Sequence, residues 1–226
     1  MNQEIEIPRE VPVMTLRSTV LFPQAILPLY IFEERYRTML NEVLAGDRIF
    51  AVASLDESRN DSPGMETPHK VAGIGIVRAC KTNEDGTSNL ILQGLARVEF
   101  ESIVSESPFR RARIHQLCSQ RDGPEDSLSL ISEEILRIIE TQIRLGAEIP
   151  REVVSFLANV QDPEAMLDLA ISTLCASGEL KQRLLETGNV AARHRLFVDY
   201  MRKLTAKIKL DQKLKGDLDE GDLYNN

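Results

Sequence analysis

Apolar residues recur mainly with a period of two through the first half of the chain and with a period near 3.6 through the second, so strands are expected first and helices after them. The longest apolar-rich stretch runs from Val11 to Arg37, VPVMTLRSTVLFPQAILPLYIFEERYR, and is broken by Pro12, Pro23 and Pro28. Each proline removes a backbone donor and steers its predecessor away from helical dihedrals, which excludes one continuous helix. Short extended pieces are predicted over 13–16 and 26–30, joined by a turn that Phe22-Pro23 initiates. Phe32, Tyr36, Met39, Leu40, Val43 and Leu44 then share helical spacing. Glu33 and Glu34 sit where a helix start favours negative charge, and Gly46 stands just past the end.

Residues 48–55 alternate little and read as a strand buried on both faces. Residues 56–70, rich in Ser, Asp, Pro and Gly, read as a long exposed loop. In the strand predicted over 71–82, Ile74 and Ile76 share one face and Gly73 and Gly75 the other. Bare glycines there imply a bulge, a bend or another backbone passing closely. Glu84-Asp85-Gly86-Thr87 signals a hairpin, followed by strands over 89–93, 98–103 and 110–117. The period changes after the polar stretch 118–126. A helix is predicted from Leu128 to Gly146, another from Pro150, a third from Asp162-Pro163-Glu164 to Gly178, a fourth over 177–186, and a long one from Asn189 that fades into an acidic tail. The class is α+β, with a β-rich part over 1–118, a helical bundle over 119–215 and a disordered tail over 216–226.

Composition narrows the function. A net charge of −8 over 226 residues argues against a nucleic-acid binder or an anionic membrane surface, both of which reward clustered cations. The N-terminus lacks the apolar core of a signal peptide and no run spans a bilayer. Cys80, Cys118 and Cys175 are odd in number and far apart, as expected of reduced, buried thiols in a cytoplasm. No phosphate-binding loop, H-E-x-x-H, G-x-S-x-G or Cys-x-x-Cys motif occurs, so no catalytic residue, cofactor or metal is assigned. His69, His115 and His194 have no ligand spacing. Glu33 and Glu34 beside Arg35 and Arg37 read as a helix-start charge cluster. Arg17 and Arg97 read as structural, capping carbonyls or pairing with a carboxylate such as Glu33 or Glu99. Arg193, Arg195, Arg202, Lys203, Lys207 and Lys209 make the last helix basic, a solvated face or a patch for an acidic partner.

Val11-Pro12-Val13-Met14-Thr15-Leu16-Arg17, then Val20-Leu21-Phe22-Pro23, Pro28-Leu29 and Ile31-Phe32-Glu33 ahead of Arg35-Tyr36-Arg37, resembles the opening of the Lon protease N-terminal domain. Gly73-Ile74-Gly75, Gly94 with Arg97, and the run from Gly178 to Glu186 extend the resemblance to about residues 11–205. It is similar above all to the free-standing bacterial form of that domain. Ser18 and Gln24 depart from the pattern; Gly usually follows the Phe-Pro, and Gln takes positive φ less readily. The resemblance implies that the β-rich part is a PUA-like, partly closed barrel with one helix, followed by the helical bundle. Closure would remove exposed strand edges.

Lon's ATPase and its Ser-Lys peptidase would occupy further modules for which this chain has no room. The resemblance therefore implies a non-catalytic, cytoplasmic module that binds unfolded or damaged polypeptides. The alternatives are an adaptor or regulator of a Lon-type partner protease, or a PUA-like RNA binder, against which the acidic balance speaks. Nothing in the sequence supports a homo-oligomer. Phe22, Ile26, Leu27, Tyr30 and Ile31 are the polypeptide-binding candidates, being more large apolar side chains than one strand pair and a helix easily bury. Arg17, Pro23, Gly75, Gly94 and Arg97 are the structural motif.

Overall fold

The structure is a computed structural model that describes residues 5–59, 66–121 and 125–222, the side chains of 125–129 and 215–222 excepted. Part of the loop expected over 56–70, namely 60–65, lies outside the described residues, as do the last four of the expected tail. Six strands and a helix come first: β1 (Glu10–Leu16), β2 (Ile26–Ile31), α1 (Glu34–Ala45), β3 (Ile49–Ser54), β4 (Val71–Thr82), β5 (Ser88–Ser105) and β6 (Arg111–Leu117). Five helices follow: α2 (Glu125–Arg144), α3 (Arg151–Ala158), α4 (Pro163–Leu174), α5 (Gly178–Glu186) and α6 (Val190–Asp222). The α+β class is thus observed.

The sheet runs β2-β5-β4-β3-β1-β6, and β6 pairs a second time with β5. Following the ladders from β5 through β4, β3, β1 and β6 therefore leads back to β5. The long strand makes this possible: its first part pairs with β2 and its last part with β6. Two separate strands were expected where β5 is continuous. A neighbouring backbone crosses over Gly94, and the ladder to β4 slips at Leu95, between the pairing of Ala96 with Ile74 and that of Gly94 with Gly75; such a bulge redirects a strand without ending it. β1 and β3 are parallel, with β2 and α1 in the connection between them.

β3 is buried at every position, as its unbroken apolar run predicts. Met14, Leu21, Met39, Leu40, Phe50 and Leu92 join α1 to one side of the sheet, while Val11, Val13, Ile49, Ile74, Val98 and Ile114 make a second cluster. Tyr36 fixes α1 on β1: its hydroxyl donates to Thr15 O at 3.0 Å and accepts from Thr15 N at 3.2 Å. Burial foremost pushes its phenol above the ordinary value, because the ionised form would lose water.

Two compact units result, Met1–Ser119 with Ile171–Gly188, and Gln120–Ala170 with Asn189–Asn226. The β-rich unit therefore takes in α5, which the sequence periodicity groups with the other helices. Long-range hydrogen bonds hold it there. Gln182 Nε2 donates to Val71 O at 3.0 Å and Arg97 Nε to Leu185 O at 3.2 Å. Gly178 is the first residue of α5, not the end of α4, and Ser177 caps it by accepting from Leu180 N.

In the second unit α2 packs against α3 and α6, with Ile131, Ile135 and Ile139 buried. Asp162 caps α4 as its position predicts, accepting from Glu164 N and Ala165 N. Arg193, expected on a solvated basic face, is fully buried between Glu164 and Asp168. His194 lies 3.3 Å from Glu134, and burial foremost lowers its pKa; Glu134 opposes that shift and Arg202 and Arg195 add to it. The unfolded chain therefore binds this proton more readily than the fold. Stability supplied by neutral His194 is complete above the unfolded value of about 6.5 and is lost as pH falls from there through the lower folded value. Urea midpoints at about pH 7 and about pH 5.5 should differ more in the wild type than in His194→Gln.

A candidate binding surface on three strands

The surface begins with what cannot move. The segment before β2 crosses the sheet so closely that a Cβ on Gly94 would sit 2.0 Å from Phe22 O, and one on Gly75 within 3 Å of Leu92, Gln93 and Leu21. Gly94, and likewise Gly73, whose Cβ would sit 2.0 Å from Leu21 O, mark a backbone passing overhead, while the register slip beside Gly75 is a bulge; the sequence allows both causes. Arg97 is buried, donates to Leu185 O and holds its guanidinium 5.6 Å from the Phe22 ring, a cation–π distance. Arg17, by contrast, is exposed and 3.3 Å from Glu57, so of the two arginines only Arg97 caps a buried carbonyl. Half-buried Pro23 leads into Gln24, which does adopt a positive φ of 63°. Gln24→Gly should raise stability by about 0.5 kcal/mol. Relief of a left-handed side chain, about 1–2 kcal/mol, is partly offset by the entropy glycine loses on folding. Thermal unfolding checks it.

Gly94 N donates to Ala25 O at 2.9 Å, and this sets the parity of the ladder. Leu27, Leu29 and Ile31 exchange backbone bonds with β5, while Ile26, Pro28 and Tyr30 turn theirs to the other edge. Among the described residues no strand pairs with that edge. Pro28 sits on it without a donor, which blunts strand addition. The same alternation sorts the side chains. Ile26 is 57% and Tyr30 54% exposed, and Leu27 is half-buried on the inner face. Phe22 and Ile31 are core residues, 0% and 3% exposed, and are withdrawn from the candidate surface. Phe32, expected on the buried stripe of α1, instead precedes that helix; it is 61% exposed and stacks on Tyr30 at 6.0 Å. Its helical spacing from Tyr36 misleads because the N-cap, Glu33, lies between them.

Register lays out the outer face in rows: Ile26 beside Gln93 and Ile76, Pro28 beside Ile91 and Ala79, Tyr30 beside Asn89 and Lys81. A groove of about 470 Å3 runs across the last two rows. It can take apolar side chains. Cys80, half-buried, borders it, Cys118 is exposed, and only Cys175 is buried as all three cysteines were expected to be. Arg35 bonds Glu33 at 2.9 Å and both oxygens of Glu66, so Glu33 and Arg35 of the charge cluster at the start of α1 are paired within the fold. His69 faces Glu186, and His115 lies between Glu99 and Glu101. Among the described residues no group of three or more His, Cys, Asp or Glu could hold a metal ion. No helix among them is long and apolar enough to cross a membrane.

Known proteins share this fold. The family described as the ATP-dependent protease La (LON) substrate-binding domain matches residues 10–203, close to the span of the resemblance. The chain is similar to the Lon protease of Flavobacterium johnsoniae, 28% identical over 225 residues, covering 97% of this chain and 27% of that protein. It is also similar to the Lon protease of Trichlorobacter lovleyi, 31% identical over 193 residues, covering 82% and 23%. The chain thus spans about a quarter of the length of these relatives. Among solved structures, the N-terminal domain of Mycobacterium avium complex Lon protease is similar with a TM-score of 0.66 at 18% identity, over 85% of this chain and 98% of that one. A Lon N-terminal domain protein from Xanthomonas campestris is similar with a TM-score of 0.62 at 15% identity, over the same shares. At such identities the likeness is one of fold.

Proposed function

The chain belongs to the Lon substrate-binding domain family, and on that premise we propose that it holds polypeptides, taking their apolar segments on the outer face of β2. The observation that carries this reading is the exposure of Ile26, Tyr30 and Phe32, alternate residues that line up along the chain with Pro28. Full burial of such a side chain contributes about 1.5–3 kcal/mol, and these begin about half covered. The gross gain from covering the row is a few kcal/mol, much of it offset by ordering the bound segment. Weak, reversible capture follows, because side-chain contacts and not a continuous strand ladder carry it.

The test is retention of a denatured protein on the immobilised chain. Ile26→Ser/Tyr30→Ser should retain about tenfold less, and because both residues are exposed the variant should keep its fold by circular dichroism. Equal retention by the folded variant refutes the reading. Only the substrate-binding part of the Lon proteases is matched, and the proposal assigns the chain no catalysis and a cytoplasmic place. The purified chain should leave casein intact and ATP unhydrolysed; turnover of either overturns that part.

A further inference from the structure

The outer face has a charge pattern that the apolar row does not need. Across the paired segments of β2, β5 and β4, residues 26–31, 88–93 and 76–82, there is no carboxylate and there are two cations, Arg78 and Lys81. Both are exposed. Arg78 is the extra residue of a β-bulge between Val77 and Ala79 and donates to Gln93 Oε1 at 2.7 Å. Lys81 shares its row with Asn89 and Tyr30 and lines the groove. Neither cation meets a carboxylate among the described residues. Asp85, at the nearby hairpin, is occupied by Thr87, whose hydroxyl and backbone N–H both donate to it.

The charged side chains of these three segments are thus all cationic, on a chain of net charge −8. Exposed charges farther off than about 8 Å are largely screened at physiological salt, so a bound segment senses Arg78 and Lys81 more than the overall balance. Pro28 blunts the free edge of β2, which leaves side chains to set preference. We infer that the groove selects apolar polypeptide segments that carry an acidic side chain beside their apolar residues, the carboxylate meeting Lys81 and Arg78 while an aromatic or aliphatic side chain rests on Tyr30 and Ile91. Segments with a basic residue at that position are disfavoured by like charge. This rests on the polypeptide-binding reading above and adds to it the substrate class.

The experiment uses the full chain and three capped peptides that share one alternating apolar-serine pattern, with glutamate, glutamine or lysine at the flanking position, read by fluorescence anisotropy. At about 0.15 M salt the glutamate peptide should bind about threefold to fivefold more tightly than the glutamine peptide, the scale of an exposed ion pair. The lysine peptide should bind more weakly than either. The preference should collapse at about 1 M salt, where the screening length falls to about 3 Å. Lys81→Glu should reverse the order of the glutamate and lysine peptides without changing the circular dichroism spectrum. Equal binding of all three peptides, lost in Ile26→Ser/Tyr30→Ser, overturns the selectivity and leaves polypeptide capture standing. Failure of every peptide to bind the wild type overturns both.

Discussion

Arg193→Met is expected to destabilise the helical unit by about 3–5 kcal/mol, a large share of the 5–15 kcal/mol that separates a typical folded domain from its unfolded chain. The guanidinium is wholly buried. It lies 2.9 Å from Glu164 Oε1 and 3.1 Å from Asp168 Oδ1, and Asp168 itself is 2% exposed. Glu164 is held from the other side by Arg121, which also bonds Asp162 at the start of α4. Removing the buried cation leaves Asp168 charged in a region where water cannot reach it, and that penalty exceeds any gain from methionine packing. Arg193→Met/Asp168→Leu, which removes both charges, should recover most of the loss. Urea unfolding of the wild type, the two single variants and the double variant forms a cycle that isolates the pair. A single variant as stable as the wild type would mean that Asp168 is solvated.

Gly94→Ala should be comparably severe, about 3 kcal/mol or more, and should strike the β-rich unit. A methyl there would lie 2.0 Å from the carbonyl oxygen of Phe22 and 2.9 Å from its carbon, so backbone and not a flexible side-chain end must yield. Gly94 cannot retreat easily. Its N–H donates to Ala25 O and its carbonyl accepts from Gln24 N, both at 2.9 Å. These bonds register β2 on β5, so their loss would also disorganise the row of Ile26, Pro28 and Tyr30. Gly188→Ala is the control: no atom lies within 4 Å of the added carbon, and its effect should stay within about 0.5 kcal/mol. Similar melting temperatures for the two alanine variants would show that the crossing loop relaxes.

Much of the architecture is local and could be read before any coordinates. Prolines 12, 23 and 28 keep the first stretch from being helical, with Pro23 in the turn between β1 and β2, Asp85-Gly86 closes a hairpin, and Asp162-Pro163-Glu164 starts a helix, because each acts on its own backbone within a few residues. Alternation in β2 likewise puts Ile26 and Tyr30 on one face and Leu27 on the other. What alternation does not say is which face is covered. The sequence lists Phe22 and Ile31 beside Ile26 and Tyr30 as equals, and only packing against α1 and the sheet buries the first two. Phe32 was missed for the converse reason: its spacing fits a helix that starts two residues later.

From the sequence alone came the order of strands and helices, the absence of known catalytic motifs and the candidate stretch, since periodicity, turn chemistry and composition are properties of neighbours. Tertiary structure decided which apolar residues face water, that α5 joins the strands, that Arg193 is interior, and that Lys81 stands in the row of Tyr30. Those are facts about residues far apart in the chain. They depend on strand register and helix packing, which no short window of sequence contains.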